Sequence, residues 1–233
     1  MELIRHVPGV WSPPPMTDSS SQIRLLWIHA GHGDDEIRCT VSVWDLEDAP
    51  EFRAISYTWG APDPGAFVLM TSMTTSYGGY GFGVVDCIRV RVRDNARYAL
   101  WQARLHDPNS HLWIDSLCIN QTDLREKTAQ VSMMAEIYTK AEMVLACVGP
   151  SVESSHAIHE LCHRLHDEVP DDAYEYREFV RGWKKLEWDE LCEMSIGPEL
   201  GVKLMDQWLD FSSREYWSRL WIIQELHNGW CKG

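Results

Sequence analysis

The chain has 233 residues, of which 45% are hydrophobic and 24% charged, enough apolar material for one well-cored domain with an appended subdomain and too much for wholesale disorder. The formal charge of −14 excludes nucleic acid as a general partner, because such a surface repels phosphate backbones. An anionic small molecule would need a local basic or backbone N–H site. The seven cysteines are odd in number and form no CxxC pair, so they read as small hydrophobes of a reducing compartment. No apolar run reaches membrane-spanning length and no secretory signal pattern opens the chain, so the expectation is a cytoplasmic protein with no membrane partner. Twelve Trp predict an aromatic-rich core.

Residues 1–21, with Pro8, Pro13, Pro14, Pro15 and a Ser run, are expected to form a loosely packed, flexible tail. Ile23–His29 and Ile37–Leu46 are β-prone and flank Gly31-His-Gly-Asp-Asp35, the pattern of an N-terminal β-hairpin. Phe52–Trp59 reads as a buried strand ending at Gly60, residues 71–83 as a loop, and Val84–Val92 as another strand. The period then changes. Asp94 is expected to cap a helix to about His106 with Ala96, Leu100 and Ala103 on one face. His111–Ile119 reads as a strand. Asp123 and Glu126 form a capping-box pattern opening a helix to about Lys140, whose expected face is Leu124, Val131, Met134, Ile137 and Tyr138. Met143–Val148 is a strand stopped by Gly149-Pro150. Residues 151–201 are charged and helical. Ser212 with Glu215 is a second capping box for a near-apolar last helix, Tyr216–Leu226.

Short apolar strands alternating with helices predict an α/β fold with a parallel sheet covered on both faces. Ligands then bind beyond the carboxyl ends of the strands, where Ser56, Tyr57, Trp59, Asp115, Cys118, Asn120 and Gln121 fall. Turn chemistry and helix capping account for Asp115, Asn120 and Gln121 equally well. Glu225 on the apolar last helix needs a partner or a purpose, since a lone buried charge is costly. Pairing with Arg219 or Arg214 is the plain explanation. His159-Glu-Leu-Cys-His163 fits HExxH, which would make His159 and His163 zinc ligands. The segment is charged, and ten His make chance matches common, so no metal is expected. Arg89, Arg91 and Arg93 mark either an exposed strand face or a local anion contact. No GxSxG, GxGxxG or phosphate-binding P-loop occurs.

In order, Ala54-Ile-Ser-Tyr-Thr-Trp-Gly60, Val92–Leu100, Leu112-Trp-Ile-Asp-Ser-Leu-Cys-Ile-Asn-Gln121, Glu126 with Gln130, Met134 and Ile137-Tyr138, Val144–Gly149 and Trp217–Glu225 resemble the heterokaryon incompatibility (HET) domain family of filamentous fungi. That family in turn resembles TIR domains, which are flavodoxin-like. Ser218, Trp221, Glu225 and Leu226 are similar to the TIR pattern S-x-W-C-x-x-E-L, with one residue more in the whole span. The resemblance implies a HET (TIR-like) domain over 22–233 with a helical insertion at about 151–210.

It further implies a self/non-self recognition and programmed cell death effector that takes NAD as substrate, needs no cofactor and cleaves the nicotinamide–ribose bond. In that role Glu225 would be catalytic. Ser56, Tyr57, Trp59, Gly60, Asp115, Cys118, Asn120, Gln121, Ser218 and Trp221 would line the substrate crevice. Self-association or a partner signalling protein would switch it on. The alternatives are a non-catalytic signalling module on the same fold and an HExxH zinc protease.

Overall fold

The computed structural model describes residues 3–6, 11–62, 65–72, 84–149, 207 and 209–219. Contacts divide the chain into two compact units, Met1–Gly149 with Ser218–Gly233, and Pro150–Trp217.

The first unit is α/β. Its strands are β1 (Leu3–His6), β2 (Gln22–Ile28), β3 (Arg38–Asp45), β4 (Arg53–Tyr57), β5 (Ala66–Ser72), β6 (Val84–Val92), β7 (His111–Trp113) and β8 (Met143–Cys147). The helices are α1 (Asp94–His106), α2 (Asp115–Cys118) and α3 (Leu124–Lys140). The strands form one sheet in the order β1-β6-β5-β3-β2-β7-β4-β8. Ile23, Arg24, Leu25 and Leu26 are consecutive and all at most 1% exposed. Successive strand residues point to opposite faces, so both faces of β2 are covered.

The sheet is mixed where a parallel one was expected. β2 and β3 pair antiparallel with Gln22 opposite Asp45, since the short 29–37 connection allows a hairpin but no crossover. β2/β7 and β5/β6 are also antiparallel. β1/β6, β3/β5, β4/β7 and β4/β8 are parallel. In the parallel trio β7-β4-β8, the strand first in sequence lies between the other two. This is the flavodoxin-like arrangement, whose order reverses beside the first strand.

Several element-level expectations need correction. β5 was not foreseen, and Thr71 and Ser72 belong to it, not to a loop. The strand expected over His111–Ile119 stops at Trp113. Ile114 is extended and the backbone then closes one helical turn, with Leu117 N and Cys118 N donating to Ile114 O at 3.1 and 2.8 Å. An apolar run cannot by itself separate strand from buried helix. Arg93, not Asp94, holds the N-cap position of α1, and no side chain caps it. The buried face of α3 is Glu126, Gln130, Met133, Met134, Ile137 and Tyr138, while Leu124 is 77% exposed and Val131 half-buried. That face includes two polar residues with hydrogen-bond partners elsewhere, Glu126 through its carboxylate and Gln130 through its Nε2, which counting apolar positions misses.

The lead-in to β2, expected to pack loosely, is tied down. Trp11 packs on the core, Gln22 Oε1 accepts Thr17 N at 2.9 Å, and Gln130 Nε2 donates to Ser19 O and Gln22 O at 2.8 and 2.7 Å.

Arg24 and Glu126 form a buried bidentate ion pair, Nη1–Oε1 2.5 Å and Nη2–Oε2 2.9 Å, with side chains 1% and 11% exposed. Arg24 also donates to Pro14 O (2.6 Å) and Cys118 O (3.0 Å), and Glu126 accepts Asn120 N (2.6 Å). Glu126 was expected to reach back to the α3 N-cap; it is turned to Arg24, and Asp123 alone caps, accepting Arg125 N at 2.9 Å. Burial pushes the Glu126 carboxyl up, but hydrogen bonds from Arg24 and Asn120 outweigh it and hold it below its ordinary 4.5.

Towards the end of the described residues, 209–213 are helical and a 3-10 turn, Glu215–Ser218, follows. The Ser212 hydroxyl donates back to Leu209 O (3.2 Å), ending one helix rather than capping the next. Arg219 is in neither helix nor turn, so the expected continuous helix from Tyr216 is broken at its start.

Two outcomes follow for stability. Glu126→Ala should cost about 3–5 kcal/mol in urea unfolding, because it strands a buried guanidinium, whereas Arg24→Met with Glu126→Leu should recover most of that. Because the folded carboxyl titrates below its unfolded value, its contribution is present above about pH 4.5 and lost as pH falls through the folded value. The urea midpoint should therefore fall on acidification, and Glu126→Gln should flatten that fall.

Candidate functional site

The carboxyl ends of β4 and β7 meet the start of α1. Beyond β4 the chain turns sharply at Gly60 (φ 71°). A Cβ there would stand 2.6 Å from Asn95 Nδ2, which donates to Thr58 O at 2.9 Å. Arg93 Nη1 donates to Gly60 O at 3.0 Å, so α1 is fastened to the end of β4 from two sides.

Trp59 is the centre of the cluster. Its Nε1 donates to Asp115 Oδ2 at 2.8 Å, and the Arg93 guanidinium lies 4.9 Å over its ring. Gln121 Nε2 donates to Asp115 O at 2.9 Å, closing the turn after α2. Among the described residues Thr58 Oγ1 and Gln121 Oε1 are buried with no hydrogen-bond partner, as are Arg104 Nε, Trp113 Nε1 and Gln130 Oε1 elsewhere in the core. Buried polar atoms are nearly always paired, so those beside the strand end keep hydrogen-bonding capacity.

The expected site residues separate into two groups. Trp59, Gly60, Asp115 and Gln121 come together. Ser56, Tyr57 and Cys118 lie beneath, in the core, at no more than 2% exposure. Ser56 and Tyr57 point to opposite faces of β4, and both faces are covered, so the Tyr57 ring is not presented for stacking. Burial, and then the Asp115 charge, push the Tyr57 phenol well above its ordinary value. Cys118 Sγ accepts Ile114 N at 3.4 Å, and burial raises its thiol to about 12. Asn120 is occupied by its own turn, its Oδ1 accepting Thr122 N and Oγ1.

Ser218 is exposed in its 3-10 turn. Arg219 Nη1 reaches Ser56 Oγ at 3.2 Å, and Arg214 pairs with Asp210 at 3.2 Å. Trp221 and Glu225, and the HExxH segment with His159 and His163, lie outside the described residues. Among the described residues no group of three His, Cys, Asp or Glu is placed to hold a metal ion, and no helix is long and apolar enough to cross a membrane.

A cavity of about 250 Å³ opens at the other end of the trio, at the amino ends of β4, β7 and β8. Trp27, Arg53, Asp107, His111 and Glu142 line it. Its charges satisfy one another, Arg53 pairing with Asp107 and standing 3.7 Å from Glu142, so it offers less for a ligand to do than the carboxyl end. Burial holds His111 below its ordinary value.

Sequence reasoning missed the role of Arg93, grouping it with the strand arginines. Arg89 and Arg91 do lie on an exposed face over Phe67, at 4.6 and 5.6 Å. Arg93 falls where the period changes from strand to helix, and that junction was the available signal.

Two outcomes check this geometry. Gly60→Ala should lower stability by about 1–2 kcal/mol in urea unfolding, because an alanine must adopt the left-handed conformation against Asn95. Cys39 and Cys118 are fully buried and both raised to about 12, so iodoacetamide at pH 8 should leave them unlabelled in the folded chain and label both once urea unfolds it, as read by peptide mass spectrometry.

No solved structure matches this chain. Heterokaryon incompatibility protein 6, OR allele, of Neurospora crassa is 28% identical over 244 aligned residues, covering 91% of this chain and 32% of that protein. The chain thus spans about a third of the length of that curated relative. The family described as heterokaryon incompatibility protein (HET) matches residues 52–225, from the residue before β4 to Glu225, and with most of the chain inside that match this protein belongs to the HET family.

Proposed function

We propose that this chain is the effector module of a fungal self/non-self recognition system, that its strand-end crevice binds NAD, and that it cleaves the nicotinamide–ribose bond. The observation that carries the reading is the Trp59–Asp115 pair at the carboxyl ends of β4 and β7. Beside it Thr58 Oγ1 and Gln121 Oε1 are buried with no hydrogen-bond partner among the described residues, which supports the reading. Family membership supports the biological setting.

The chemistry asks little of the protein. Nicotinamide in NAD is already cationic and leaves as a neutral base without a general acid. The developing ribosyl cation is oxocarbenium-like, as in glycoside hydrolysis, and water adds to the anomeric carbon. One carboxylate that holds the ribose hydroxyls and offsets the positive charge suffices. Glu225 fills that role by its resemblance to the TIR glutamate. Arg219, six residues before it in sequence, contacts Ser56 of β4 at 3.2 Å. The reaction needs no cofactor. Trp59 supplies a half-buried aromatic ring, and Asp115 supplies an acceptor for hydroxyl groups.

The decisive measurement is nicotinamide release from NAD by wild type and Glu225→Ala, at low and high protein concentration. The expected outcome is turnover that rises with concentration as the chain self-associates, and a loss of at least about a hundredfold in the variant, with its melting temperature unchanged. Equal turnover by the variant would remove Glu225 from catalysis. No turnover by wild type at any concentration, with cell toxicity surviving Glu225→Ala, would leave a signalling module without catalysis.

A further inference from the structure

Four arginines of this chain are held by carboxylates, and the buried Arg104 donates instead to the backbone carbonyls of His32, Gly33 and Asp35. Arg24 is paired with Glu126, Arg53 with Asp107, Arg89 with Glu36 and Arg214 with Asp210. Arg93 is half-buried, lies over Trp59 and spends one N–H on Gly60 O, yet forms no ion pair among the described residues. The chain carries 35 acidic residues against 21 basic ones, so carboxylates are abundant. A guanidinium left without one, at the end of β4 where the strand order reverses, is a cation kept for an incoming anion. Its remaining donors form the planar fork that matches phosphate.

The charges around it divide the ligand. Asp94, next in sequence, is exposed; Asp115 is fixed by the Trp59 indole; Arg219 sits on Ser56 below. A phosphate would avoid Asp115 and go to Arg93. An uncharged, hydroxylated sugar would go to Asp115, which accepts hydroxyl protons. Trp59 links the two, since its ring stacks on Arg93 while its N–H holds Asp115, so the spacing between cation and carboxylate is set by one rigid side chain.

We infer that Arg93 is the phosphate-binding residue of the crevice, and that it selects a nucleoside bearing a phosphate or diphosphate over the same nucleoside without one. This rests on the reading that the crevice binds a dinucleotide, and it names the part of that substrate responsible for affinity.

The test is direct binding, by calorimetry, of ADP and of adenosine to the full chain and to Arg93→Ala, Arg93→Lys and Arg89→Ala. Wild type should bind ADP at least about tenfold more tightly than adenosine, with affinity falling as salt rises. A charge-assisted contact of this kind is worth roughly ten- to a hundredfold. Arg93→Ala should lose that preference and leave adenosine unchanged. Arg93→Lys should keep part of it, because charge remains while the fork is lost. Arg89→Ala should match wild type.

The inference is overturned if wild type shows no ADP preference, or if Arg93→Ala, shown folded by its melting curve, keeps it. The two readings fail separately. ADP held through Arg93 with no nicotinamide release from NAD removes the cleavage reading and leaves the phosphate site. NAD cleaved by Arg93→Ala with unchanged KM removes the phosphate site and leaves cleavage.

Discussion

The bidentate pair between Arg24 and Glu126 is the constraint on which the rest of the first unit depends. Taking two charges out of water is tolerable only when geometry is good and the remaining donors and acceptors are filled. Here they are filled by backbone from distant parts of the chain. Pro14 O and Cys118 O accept from Arg24, and Asn120 N donates to Glu126. One interaction therefore binds the segment before β2, β2 itself, the turn after α2 and the first turn of α3. The turn after α2 carries Gln121, whose Nε2 holds Asp115 O, so a pair buried in the core bears on where the candidate-site residues stand.

The two ends of the parallel trio β7-β4-β8 are chemically unlike. At the amino ends, Arg53 and its carboxylates neutralise one another around a cavity. At the carboxyl ends, Arg93 faces an aromatic ring and a carbonyl, and Asp115 is held by an indole N–H. Paired charges stabilise or specify a fold. Charges held in place by neutral groups keep their capacity to bind. This contrast, more than concavity, distinguishes the candidate site from the cavity opposite, and it matters more in a chain of net charge −14, where an anion meets repulsion almost everywhere else.

Much of the fold is legible along the chain because the signals are local. The hairpin strands, β4, β6, α1, α3 and β8 follow from periodicity, caps and glycine or proline stops. The errors share a physical cause. His111–Ile119 is apolar throughout, and whether it continues as strand depends on a neighbour to pair with; β7 finds β2 and β4 for two residues each and then folds back on Ile114 O. The face of α3 was misjudged because Glu126 and Gln130 are buried by partners on and before β2, about a hundred residues away. The candidate site behaves likewise. Strand ends located Trp59 and Asp115, but only the covered faces of β4 show that Ser56 and Tyr57 lie beneath the site, and only the fold turns Arg93 away from Arg89 and Arg91.

The amino-acid sequence by itself determined the α/β class, most element positions and the order of motifs that marks the HET family. Those properties rest on spacing between near neighbours, on backbone preferences and on residue identity. Tertiary structure decided the mixed sheet order, the burial of Arg24 against Glu126, and the meeting of Trp59 with Asp115 across 56 residues of sequence. Pairing of that kind is decided by which strand lies next to which and by what must be satisfied once water is excluded, and neither is written in the local pattern around any one residue.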